Sequence, residues 1–107
     1  MITEERVEKA IRYMAETDED YARAFILYND VIKHEGVIIS QSFMHAKKLF
    51  DTVAEANAAA KLSKEYTAWE KEKTDKGFDY MTLKVKRDTE KLIWETWRTE
   101  QANLRNT

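Results

Sequence analysis

An all-α protein made of a few long helices is what this sequence predicts, and three observations carry that reading. The 107 residues include no Pro and only 2 Gly. Average usage would place about five Pro and about seven Gly in a chain of this length, so turns must be few. Apolar residues recur at spacings of three and four rather than two, the period of a helix with one buried face. A β-sandwich or an α/β fold needs far more turn residues than this. Without Cys there is no disulfide framework and no thiolate metal site.

The first helix is expected over about residues 4–15. Thr3 reads as its N-cap, and Glu4 and Glu5 follow where the helix dipole favours negative charge. Val7, Ile11 and Met14 then share one face. Thr17 reads as a second N-cap, with Asp18, Glu19 and Asp20 in the first turn after it. That acidic run lacks EF-hand spacing, so it indicates a helix start rather than a metal site.

The second helix is expected over about residues 18–50, on the stripe Tyr21, Phe25, Tyr28, Ile32, Ile39, Phe43 and Phe50. Gly36 costs about 1 kcal/mol in a helix interior and stands before the β-branched run Val37, Ile38, Ile39. One helix from Asp18 to about Leu49 fits, and so does a helix that ends near Glu35 and restarts at Ser40. The stripe keeps its phase across the glycine, which favours a continuous or slightly kinked helix.

Thr52-Val-Ala-Glu55 is a capping box directly before an Ala-rich run, and it opens the third helix, expected over about residues 53–102. Leu62, Tyr66, Trp69, Tyr80, Leu83, Trp94, Trp97 and Leu104 fall on one heptad frame, with Lys73, Lys76, Arg87, Glu90 and Gln101 on the same seam. Phe78, Met81, Val85, Leu92 and Ile93 occupy neighbouring stripes and are expected to broaden the apolar face. Gly77 is expected to bend this helix. At 1.5 Å per residue it would be about 75 Å long. The second helix must then run back along it as an antiparallel hairpin turning near Asp51, with the short first helix folded across the open end. The expected fold is thus one all-helical domain whose long helix keeps an exposed apolar face, and such a face implies a homo-oligomer.

Catalytic constellations are sparse. His34 and His45 are the only histidines, and eleven positions along one helix separates them by about 16 Å, too far to share a metal ion. Asp30 and His34, four residues apart, read as a surface contact. There is no Glu-x-x-His pair, no glycine-rich phosphate loop and no nucleophile elbow. No catalytic residue, metal ligand or cofactor is therefore assigned, and a non-enzymatic protein is expected. The N-terminal residues lack the apolar core of a signal peptide, and no apolar run approaches the roughly 20 residues that span a bilayer. A cytoplasmic setting without membrane contact is the expectation.

Charge is unevenly spread although the net is only −2. Residues 84–107 carry six basic against four acidic side chains, and residues 4–20 carry three against seven. The basic end also holds Trp94 and Trp97. Bases of a single strand stack on aromatic rings while Lys and Arg follow the phosphates. This nominates Lys84, Lys86, Arg87, Lys91, Arg98 and Arg105 for phosphate contact and Trp94 and Trp97 for stacking. The competing reading is that tryptophans at helical spacing are core or oligomer contacts.

Thr52-Val-Ala-Glu followed by the Ala-rich run and Ser63-Lys-Glu-Tyr66 resembles a group of small helical proteins encoded by tailed phages. The closing Trp94-Glu-Thr-Trp97-Arg-Thr-Glu-Gln-Ala102-Asn103-Leu-Arg105 is similar to the Trp-Arg-Thr…Ala-Asn ending of that group, and the opening Thr3-Glu-Glu…Thr17-Asp-Glu to its start. The likeness runs over most of the chain. Two positions depart from the group's pattern: Ala56 stands where a basic residue is common, and Leu104-Arg105 where two arginines are. The resemblance implies a place in phage recombination and replication gene clusters. The helical-hairpin layout also resembles the recombination mediators of T4-like phages, which implies an oligomer that binds single-stranded DNA or a recombinase. The alternative is a protein-only interaction module, such as a helical assembly factor or an inhibitor of a host nuclease.

Overall fold

A computed structural model describes residues 1–106. Among these there is no strand, and four helices follow in order: α1 Glu4–Lys33, α2 Glu35–Lys47, α3 Val53–Lys61 and α4 Lys64–Arg105. The all-helical class is as expected. The boundaries differ at three places, each for a local reason.

Residues 4–15 and 18–33 are one helix, not two. Thr3 does cap it, its hydroxyl accepting from the Arg6 N–H at 3.1 Å. Thr17 is no cap: its hydroxyl donates 2.7 Å back to the Tyr13 carbonyl, as a mid-helix threonine does. The next break falls at His34, ahead of Gly36. The His34 ring Nδ1 lies 2.7 Å from the Asp30 carbonyl, so it carries the proton and caps the end of α1 through backbone rather than through the Asp30 carboxylate. The expected 53–102 helix is divided at Leu62 and Ser63. The Ser63 hydroxyl accepts from the Tyr66 N–H at 3.1 Å and so caps α4, as the Thr52 hydroxyl accepts from the Glu55 N–H at 3.1 Å and caps α3.

The chain divides into two compact units, and α1 and α4 contribute to both. Unit 2, residues Ala24–Asp79, is built on small side chains. Ala46, Ala56 and Ala60 are buried, which lets α2 and α3 pack backbone to backbone. Trp69 and Val31 are buried with them, and the Trp69 indole N–H donates to the Val31 carbonyl at 2.7 Å. Buried Ser42 accepts from the Ser63 hydroxyl at 3.0 Å, tying the cap of α4 to α2. Gly77 acts by absence of a side chain: a Cβ there would stand 3.0 Å from Tyr28 Cε1. α4 continues through it as helix, so close approach of the Tyr28 ring accounts for this glycine where a bend was expected.

Unit 1 comprises Met1–Arg23 and the described residues from Tyr80 onward. Its two helical segments run antiparallel and are joined by polar contacts. Ile2 N–H donates to the Glu100 carboxylate at 3.1 Å, Arg6 grips Glu90 through two bonds of 2.7 and 2.8 Å, and the Tyr21 and Tyr80 rings stack at 5.6 Å. Val7 and Ala10 are the buried apolar residues here. Across both units no large side chain among the described residues is fully buried.

Candidate interaction surface

The site built from sequence lies on unit 1, and the structure sorts its eight residues into distinct settings. Arg87 faces inward and is buried. Its guanidinium donates to the Met14 carbonyl at 2.9 Å, to the Thr17 hydroxyl at 2.6 Å and to Asp18, and it lies 4.9 Å from the Tyr21 ring centre. Every one of those partners is on α1, so Arg87 joins the two helical segments. The neighbouring Lys86 is exposed. Two residues on from Lys84, it stands on a different side of α4 from that lysine.

Lys84, Lys91, Arg98 and Arg105 recur every seven residues and so form one row along α4, each about 10 Å from the next. Lys84 donates to Asp88 at 3.0 Å, and this hydrogen bond, with the nearby charge, raises the lysine pKa. Lys91, Arg98 and Arg105 are exposed. Arg98 lies 4.6 Å over the half-buried Trp94 ring, a cation–π contact that presents guanidinium and indole together. Asp88 and Glu95 border the row and offset part of its charge.

Trp97 is half-buried, and its indole N–H is buried with no hydrogen-bond partner. Such orphaned donors are rare, because the lost hydration is not repaid. It borders one of two adjoining hollows between the helical segments. One, of about 300 Å³, is lined by Glu4, Val7, Glu8, Ile11 and Trp97. The other, of about 310 Å³, is lined by Ala10, Ile11, Met14, Lys91 and Trp94. Ile11, 50% exposed, borders both, so the two form an apolar groove in two parts on either side of it, with carboxylates at one end and Lys91 at the other. Sequence reasoning placed Ile11 and Met14 on the packed face of the first helix and missed this groove.

A second apolar surface lies on the far side of α4. Met81, Val85 and Leu92 fall within about 40° of one another on the helix, opposite Arg87, Glu90 and Trp94, which face α1. They are exposed, as are Ile11, Leu104 and others of the large apolar residues. These residues form a separate face rather than the expected widening of the packed one.

Among the described residues no group of three His, Asp or Glu is placed to hold an ion. His34 lines an open cleft of about 460 Å³ in unit 2, beside Trp69, Val31, Asp30 and Glu72. No described helix is long and apolar enough to cross a membrane. No protein-family model matches the chain, and no curated protein or solved structure matches it either.

Proposed function

We propose that this chain is a non-enzymatic accessory protein of phage DNA recombination that works as an assembly of its own copies and tracks single-stranded DNA along α4. The observation that carries this reading is the row Lys84, Lys91, Arg98 and Arg105, with Trp94 held under Arg98. Cations spaced along one line follow a strand's phosphates, and an aromatic ring among them receives a base. Assembly multiplies a modest local charge into a stronger field, which a chain of net charge −2 requires. The sequence likeness at 52–66 and 94–105 supports the recombination setting. Relative to the sequence-derived set, Arg87 moves from strand contact to structure, Trp97 to the groove, and Lys86 to a separate side of the helix.

Fluorescence anisotropy with a labelled oligonucleotide tests the strand reading. Four phosphate contacts per chain give a slope of log K against log salt of about −3, and removing Lys91 and Arg98 brings it to about −1.5. Absence of binding at protein concentrations of about 50 µM in low salt overturns it, since the phosphate term is strongest there.

A second reading, a protein-only interaction module, is favoured by the exposed line Met81, Val85 and Leu92 beside a basic edge that Asp88 and Glu95 partly neutralise. A recombinase or a host nuclease with an acidic amphipathic helix would suit that face.

A further inference from the structure

The groove of unit 1 and the α2–α3 turn of unit 2 have complementary chemistry. Within one molecule the turn is the run Lys47-Lys48-Leu49-Phe50-Asp51, and it reads cation, cation, apolar, apolar, anion. Leu49 is 71% and Phe50 41% exposed at its tip, an arrangement water disfavours and a single turn does not need. The groove reads in the matching order. Glu4 and Glu8 stand at one end, Val7, Ile11, Trp97, Met14 and Trp94 along it, and Lys91 at the other. From Glu4 to Met14 α1 covers about 15 Å, and the closed turn, its N–H groups bonded back to α2, fills only part of that length.

We propose that the α2–α3 turn of one copy docks in the unit 1 groove of a second copy. Leu49 and Phe50 enter the hollow beside Val7 and Ile11, where Lys47 and Lys48 face Glu4 and Glu8. The turn's own N–H groups, from Lys48 to Phe50, return to the carbonyls of His45 and Ala46. The carbonyls that follow lie at the open end of α2, where a helix has no donors left of its own. Each copy carries one turn and one groove, so the contact is head-to-tail and either closes into a ring or runs on as a filament.

This inference rests on the self-association proposed above, and its test separates the two. Sedimentation velocity of the full chain reads assembly directly. Lys48→Glu and Glu8→Lys each weaken self-association about tenfold or more, and the two together restore it, which a merely structural role for either residue would not produce. The chain has no Cys, so disulfides in the double variant Ile11→Cys, Leu49→Cys join only introduced cysteines, and each single variant, expected to stay uncrosslinked, reads out pairing of like positions. Mild oxidation of that double variant is expected to give a ladder of covalently joined chains. A monomeric wild-type chain overturns both the assembly and this contact. An assembling chain whose charge swap does not restore, or whose cysteines close within single chains or not at all, overturns the contact alone.

Discussion

Arg6 and Glu90 show how one side-chain pair governs part of unit 1. The two bonds at 2.7 and 2.8 Å form the bidentate fork that guanidinium and carboxylate geometry allow. Hydrogen bonding to Arg6 holds the Glu90 carboxyl below its ordinary value of 4.5, its own partial burial working against this. A depressed carboxyl pKa contributes stability that is complete above the ordinary value and is lost as pH falls through the folded-state value. Urea denaturation as a function of pH is therefore expected to show wild type and Arg6→Ala differing near neutrality and converging in acid, once pH has fallen below the lowered pKa of Glu90. A difference that persists unchanged into acid would mean that the arginine acts through packing instead. Arg87 teaches a different lesson at the same scale. Its place on the heptad seam was legible in the sequence, and a seam position between Leu83 and Trp94 faces the partner helix whatever its charge. Charge type alone made it a phosphate ligand; burial and three acceptors on α1 make it a joint.

At the scale of elements, the glycines separate two kinds of helix interior. Nothing lies within 4 Å of a Cβ built on Gly36, whereas one on Gly77 meets the Tyr28 ring at 3.0 and 3.3 Å. Replacing Gly by Ala in a helix interior gains about 0.5–1 kcal/mol where space permits. Gly36→Ala is expected to raise stability by that amount in thermal or chemical denaturation. Gly77→Ala is expected to lose most or all of it to the tyrosine, and the gain should return in a Tyr28→Ala background, the signature of a coupled pair. The capping signals at Thr3 and Thr52 were readable because a hydroxyl residue stood before a run of good helix formers. Ser63 carries the same signal, hidden in the sequence because the heptad frame runs straight across it. The frame identified the inward residues from Trp69 to Gln101 correctly, and it failed at its ends, where Leu62 is 84% and Leu104 52% exposed. On α1 and α2 the expected stripe left out Val31, Ser42 and Ala46, which are buried, and took in Ile32, which is exposed. Small and polar residues at close helix contacts leave little trace in a pattern of large apolar ones, and the break at His34 shifts the phase.

For the whole molecule, the imbalance between what is covered and what is not sets the expectation. The buried apolar residues are mostly alanines, while Met81, Val85, Leu92, Phe78, Leu49 and Leu62 are each at least half exposed. Isolated exposed apolar residues are ordinary, but several on one face are a surface that seeks cover. Light scattering at about 50 µM is expected to give a mass that is a multiple of the single chain, rising with concentration. A single-chain mass under those conditions would refute self-association and leave the α4 face for a different protein. The candidate site was legible in part: the row on α4 follows from spacing alone. The groove beside it was not, because it needs the antiparallel register of residues far apart in the chain.

The three tryptophans are apportioned unequally between the units, one in unit 2 and two in unit 1. Trp69 is enclosed and hydrogen-bonded, so its emission belongs at the blue end of the range and shifts red when unit 2 opens. Trp94 lies beneath a guanidinium and beside water, a setting that quenches and reddens. The molecule thus carries its own optical labels, one for each half, and single-tryptophan versions would show in one melting experiment whether helices shared by both units make them unfold together or in turn.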